Sequence, residues 1–200
     1  MKVFRSFLVQ LAIMLISSLF LITGCTKKEK EPETIRIGAI LPLTGDIAEY
    51  GNRIKKGIDL AIEEIENQGG INGKRAKVLY EDSTGFPKGG VSAVQKLISI
   101  NRVPIIIGAV ASSVTLAIVP QTTESKVVLF SPASSSPKLS GVSPFFFRDW
   151  PSDVLEARLL AEFTFNKLGI KKVAILNVNN DYGLGRVNSF FSPSIINSYS

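Results

Sequence analysis

The sequence predicts an α/β fold, a parallel β-sheet with helices on both faces, and three observations carry that prediction. Short apolar runs of strand length recur along the chain. Each of the early runs is followed by a stretch with apolar residues at helical spacing, and a helical crossover is what joins parallel neighbours. The run Ile105-Ile106-Ile107 is apolar at every position, as suits a strand covered on both sides.

In chain order, the first strand spans 35–41 and stops at Pro42. From Asn52, residues Ile54, Ile58, Ala61, Ile62 and Ile65 share one helical face, and Gly69-Gly70 ends the helix. Ile71-Asn72-Gly73 turns into a second strand, 76–80, which ends on Glu81 and Asp82. These two acids are adjacent, so on a strand they point to opposite faces and cannot act together on one substrate. After Gly85-Phe86-Pro87 a second helix presents Val91, Val94, Leu97 and Ile98. Residues 103–107 form the central strand, Gly108 breaks it, and a third helix follows from Ser113 to about Ser125.

Ser112 or Ser113 suits the N-cap of that helix. Free N–H groups at such a start, beside hydroxyls and the positive end of the helix dipole, also suit a carboxylate. The two readings stay open on the residues alone. Residues 127–130 form a fourth strand, and 131–137 are too rich in Ser and Pro for regular structure. Phe145-Phe146-Phe147 is a fifth strand leading to Arg148 and Trp150. Pro151 opens an amphipathic helix whose apolar face is Val154, Leu155, Leu159 and Phe163, and 172–176 is a sixth strand. From Val187 to Ser200 there is no charge, and Pro193 falls where an amphipathic helix is expected.

Tyr50, Asp82, Ser112 and Ser113, Ser131 to Ser136, and Tyr182 all fall just after strand ends, which a parallel sheet brings to one edge where ligands bind. Composition narrows the chemistry. His is absent, which removes His-dependent triads, bases and metal sites, and no metal or cofactor is expected. The net charge of +6 is spread among acids, so no nucleic-acid partner is expected. A serine hydrolase built on Ser112 or Ser134 would need a Lys base, and no Lys lies near Ser112 in sequence. No enzymatic activity is expected.

The chain opens with Met1-Lys2 and Arg5, an apolar run from Phe7 to Ile22, and Thr23-Gly24-Cys25. This pattern predicts an exported chain with a signal peptide over 1–24. Leu21-Ile22-Thr23-Gly24-Cys25 resembles the lipobox of bacterial lipoproteins, which makes Cys25, the single cysteine, the lipid attachment site. Residues 25–33 then form a polar tether between membrane and domain.

From residue 35 to about 186 the sequence resembles the type 1 periplasmic binding proteins, close to the leucine/isoleucine/valine-binding family of transporter receptors. The matching segments are Ile37-Gly38-Ala39-Ile40-Leu41-Pro42-Leu43-Thr44-Gly45, Glu49-Tyr50-Gly51, Gly69-Gly70-Ile71-Asn72-Gly73, Ile107-Gly108 through Thr115, Ser131 through Leu139, and Asn180-Asp181-Tyr182-Gly183. The resemblance implies two α/β lobes that close on a small ligand, often an amino acid. Residues 34–150 would be lobe 1 and 151–200 the start of an incomplete lobe 2.

It implies further that Ser112 binds the ligand carboxylate, helped by Ser135 and with Ser113 adjacent, and that the Ala133 carbonyl takes the ligand ammonium. Tyr50 and Tyr182 would wall the pocket. Arg148 either contacts ligand or makes a salt bridge at the hinge, and Trp150 either packs on ligand or on the hinge. The partners implied are a small amino acid or carboxylate, an ABC transporter permease, and a bacterial membrane reached through the lipid, placing the protein outside the cytoplasm. Two expectations follow from the family's greater length: a truncated receptor with Ser112, Ala133 and Ser135 on an open face, or a fragment that binds no ligand.

Overall fold

The computed structural model describes residues 34–192. The predicted signal peptide, Cys25, the tether and the stretch from Pro193 onward lie outside the described residues. Five strands, β1 (Thr34–Leu41), β2 (Arg75–Asp82), β3 (Ile105–Gly108), β4 (Val128–Ser131) and β5 (Phe146–Arg148), form one sheet in the order β2-β1-β3-β4-β5. Every neighbouring pair is parallel, with registers such as Gly38 to Ile106 and Ile106 to Leu129.

The helices are α1 (Ala48–Asn67), α2 (Pro87–Gln95), α3 (Ser112–Glu124), α4 (Asp153–Glu162) and α5 (Asp181–Phe190). From β1 the chain steps one way to β2 through α1, then back across β1 to β3 through α2 and on to β4 through α3. With right-handed crossovers this reversal puts α1 on one face and α2 and α3 on the other. The main core lies on the second face, where Ile40, Ile106 and Leu129 of the sheet meet Val94, Leu97, Val114 and Ile118. Leu97 belongs to a π-helical turn, Lys96–Ile100, that continues α2. Gly38 is needed here because a Cβ on it would come within 2.9 Å of the Leu97 side chain.

Helix α1 begins at Ala48, one turn before the expected Asn52, because the Gly45 carbonyl accepts from Ala48 N (3.1 Å) and turns the chain early. Two expectations fail toward the C-terminus. Residues 172–176 form no strand, since a strand exists only by pairing its backbone and none of the described strands lies alongside them. In α4 the buried residues are Asp153, Ala157 and Ala161, whereas the expected face of Val154, Leu155, Leu159 and Phe163 is exposed. The small side chains let α5 approach closely, and Phe190 of α5 closes against Ala157 and Ala161.

Candidate functional site

Ser112, Ser113, Ala133 and Ser135 gather at the carboxyl edge of β3 and β4. Gly108 ends β3 at a φ of 137°, where a Cβ would strike the Ile40 carbonyl, so glycine is required at this close approach. The chain then passes through Ala109 to Ala111 and enters α3. Ala111, not a serine, is the N-cap: its carbonyl accepts from Val114 N and Thr115 N, both at 3.0 Å, and no side chain caps the helix. Ser112 and Ser113 are therefore the first two residues of the helix, correcting the capping reading. Their N–H groups have no acceptor among the described residues.

The Ser112 hydroxyl that could have capped is used across the gap between the β3 and β4 loops. Ser136 N donates to Ser112 Oγ at 3.2 Å. Ser131 Oγ donates to the Ala109 carbonyl (2.7 Å) and accepts from Ser134 N (3.0 Å). Ser134 Oγ lies 2.6 Å from Thr115 Oγ1 and within 3.1 Å of the Ala109 and Val110 carbonyls. Four buried serines and one threonine thus lock the turn after β4 onto the start of α3. The Ser-rich segment 131–136, read from sequence as irregular loop, is a hydrogen-bonded plug.

Arg148 supports the same turn from β5. Its guanidinium donates to the carbonyls of Ser134 (3.2 Å) and Ser136 (3.0 Å) and to Ser140 Oγ (2.9 Å). Of the two readings of Arg148, the hinge salt bridge has no carboxylate partner among the described residues, and the fork is taken up by backbone carbonyls.

Asp153 was missed by sequence reasoning. It is 2% exposed in the first turn of α4, which Ser152 caps by accepting from Val154 N. Ser135 Oγ donates to Asp153 Oδ2 and Asp153 N donates to the Ser135 carbonyl, both at 2.9 Å. Burial pushes the Asp153 carboxyl up, opposed by the Ser135 hydrogen bond and by the charges of Arg186 and Arg148. The available signal was Pro151-Ser152-Asp153, a capping serine followed by a first-turn acid, which marks a helix start but not the burial of that acid.

Ser112 and Ser135 are 2% and 3% exposed, so the expected open face is not found: both hydroxyls face partners inside the fold. Ala133 and Ser113 are half-buried beside them. Tyr50, in the first turn of α1, is 66% exposed and Trp150 is 53% exposed. Tyr182 stands apart in the wall of a cavity of about 310 Å³ between α4, α5 and residues 175–178. There its hydroxyl accepts from Arg186, whose guanidinium lies 5.4 Å from the ring. That cavity is lined mainly by Leu160, Ile175, Val178 and Phe190 and touches none of Ser112, Ala133 or Ser135. Among the described residues no group of three or more His, Cys, Asp or Glu side chains could hold a metal, and no helix is long and apolar enough to cross a membrane.

The family model described as "periplasmic binding protein" matches residues 34–190. The chain belongs to the periplasmic binding protein family. Among curated relatives of this periplasmic binding protein is the Leu/Ile/Val-binding protein BraC3 of Rhizobium johnstonii, 33% identical over 158 residues that cover 78% of this chain and 42% of the relative. Among solved structures, the branched-chain amino acid transporter substrate-binding protein LivJ of Streptococcus pneumoniae, in complex with isoleucine, superposes with a TM-score of 0.74. It shares 30% identity and covers 79% of this chain and 46% of its own. A solute-binding protein of an ABC transporter from Rhodopseudomonas palustris, in complex with 3,4-dihydroxybenzoic acid, gives a TM-score of 0.74 at 26% identity, over 84% of this chain and 45% of its own. The parallel sheet with its helices is thus the type 1 periplasmic binding protein fold, and the chain spans less than half the length of the relatives it matches.

Proposed function

We propose that this chain is part of the extracytoplasmic substrate-binding component of an ABC-type importer, tethered to the membrane through Cys25, and that its ligand is an α-amino acid. The observation that carries this reading is the polarity of the plug at α3. On one side stand the free N–H groups of Ser112 and Ser113 at the positive end of α3, which suit a carboxylate. On the other stand acceptors: the half-buried Ala133 with its carbonyl, and the Ser135 oxygen, whose one proton is committed to Asp153, so that Ser135 suits the ammonium instead of helping Ser112 with the carboxylate as the resemblance implied. Donors facing a carboxylate and acceptors facing an ammonium fit an amino acid and leave a benzoate's ring edge unmatched. The names of BraC3 and LivJ support this class, and the benzoate-bound relative marks the rival.

Two or three hydrogen bonds at roughly 0.5–1.5 kcal/mol each do not offset the cost of immobilising a ligand, so one lobe alone should bind no tighter than about millimolar. Calorimetry of the 200-residue chain with leucine, isoleucine and valine should show no micromolar binding. A fusion to the remaining length of LivJ should bind one of them, and Ser112→Ala in the fusion should remove most of that affinity. Tighter binding of 3,4-dihydroxybenzoate than of any amino acid by the folded fusion would overturn the ligand class. For the anchor, Cys25→Ser should move the protein from the membrane to the soluble extracytoplasmic fraction. Unchanged membrane association would count against it.

A further inference from the structure

We infer that the amino edge of the sheet is a membrane-docking surface, which lays the domain on anionic phospholipid headgroups and turns the candidate site away from them. Four cations carry it. Arg36 and Lys77 are register partners on β1 and β2 and both are exposed, so two like charges stand side by side near the strand starts, a pairing that by itself destabilises a sheet. The Arg36 guanidinium reaches the Asn101 carbonyl at 3.5 Å, which brings it to the turn that carries Arg102. Lys126 stands in the corresponding turn from α3 into β4.

Among the described residues none of these four has a carboxylate partner. Of the acids at this end, Glu66 is tied to Arg75, and Glu63 and Glu64 lie on α1, across the sheet from Asn101, which leaves Glu124 as a counter-charge. Arg102 and Lys126 share a second feature. Both are left-handed, with φ of 53° and 54°, where glycine is the low-energy residue. Cations thus occupy two backbone positions that disfavour any side chain. Ile100, two residues before Arg102, is 72% exposed, and an apolar side chain among cations suits the boundary between headgroups and acyl chains.

The chain itself supplies the orientation. Thr34 opens β1 at this same edge, and Cys25 stands nine residues before it, so a lipid on Cys25 holds the edge within about 30 Å of the bilayer. The opposite edge carries Asp46, Glu49, Asp82 and Asp149 just past strand ends, and an anionic surface repels it. Tether, attraction and repulsion act in one direction. This inference rests on the reading of Cys25 as the lipid attachment site.

The test uses the lipid-modified chain in vesicles of phosphatidylglycerol and phosphatidylcholine that contain a headgroup-nitroxide lipid. The lipid occupies the single native cysteine, so Ser125→Cys beside Lys126 and Lys88→Cys in the first turn of α2 each take one fluorophore. The nitroxide should quench the label at 125, spare the label at 88, and quench neither in phosphatidylcholine alone. Arg36→Gln with Lys77→Gln should lower the ratio of docked to free domains by about 25-fold, at roughly fivefold per cation near an anionic surface. Arg102→Gly with Lys126→Gly should lower it as much while raising the urea midpoint, because glycine relieves the left-handed backbone. Lys56→Gln with Lys171→Gln removes the same charge elsewhere and should leave quenching unchanged.

Equal quenching at 125 and 88, quenching at 125 that ignores phosphatidylglycerol, or an equal loss from the Lys56 and Lys171 pair would each overturn the docking surface. Should the Arg36 and Lys77 pair fail to fold, the glycine pair decides: a higher urea midpoint with undiminished quenching would overturn it too. Flotation with phosphatidylcholine vesicles reads the anchor separately. A chain that floats but is not selectively quenched refutes docking alone, and one that does not float refutes the anchor and the docking built on it.

Discussion

Replacing Asp82 by Ala should unfasten the carboxyl edges of β1 and β2. Asp82 Oδ1 accepts from Thr84 N (2.7 Å), Leu43 N (2.8 Å) and, more weakly, Thr44 N (3.4 Å), while Oδ2 accepts from the Thr44 hydroxyl. One carboxylate thus holds the turn that leads into α1 and the turn that leads into α2. The site is partly exposed, so each good bond contributes nearer 1 than 3 kcal/mol, and the loss should total about 2–4 kcal/mol. Burial acts to raise this carboxyl, but the bonds from Thr44, Thr84 and Leu43 outweigh it and hold it below the usual carboxylate value.

A depressed folded value means that the stabilisation is present above the unfolded carboxylate pKa and is lost as pH falls through the folded one. Urea unfolding followed by circular dichroism should therefore show the Asp82→Ala deficit in full at pH 7. The deficit should shrink steadily below about pH 4, the ordinary value for an aspartate. A deficit under about 0.5 kcal/mol at pH 7, the scatter of surface substitutions, would refute the reasoning, as would a deficit independent of pH.

The other predictions concern Gly51 and Asp153. Gly51→Ala would ordinarily strengthen a helix, but here the new Cβ would overlap the Pro42 carbonyl oxygen. Thermal unfolding should show a clear loss, about 2 kcal/mol or more, instead of a gain. For Asp153 the shift is upward, so its contribution is present below the unfolded pKa and is lost as pH rises through the folded one. Asp153→Asn should match the parent protein near pH 4 and become relatively more stable toward pH 8. Equal stability differences at both pH values in urea titrations would show that the buried carboxylate carries no such cost.

The alternation of strand-length and helix-length apolar runs was enough to determine a parallel sheet, because a helical crossover leaves parallel pairing as the way to join its ends. The meeting of Ser112 with the segment Ser131 to Ser136 was legible for the same reason: polar residues after neighbouring strand ends reach one edge of such a sheet. What the hydroxyls do there was not legible. Ser112 looks like a cap in sequence, yet its oxygen accepts from Ser136 N, 24 residues on, and that pairing exists only once β3 and β4 lie side by side. Asp153 reads as a first-turn acid, and only the docking of α4 against the β4–β5 loop buries it on Ser135.

The two failures near the C-terminus share a physical cause. Periodicity groups residues on one helix face but does not choose which face finds a partner, so in α4 the Ala157 and Ala161 stripe won over Leu155 and Leu159 because α5 could approach it more closely. Residues 172–176 have strand composition, but a strand is a relation between two segments, and composition states only one side of it. Local pattern thus determined the five paired strands and the helices between them, while hydrogen-bond partners, buried faces and the docking of α5 on α4 depended on which distant segments met.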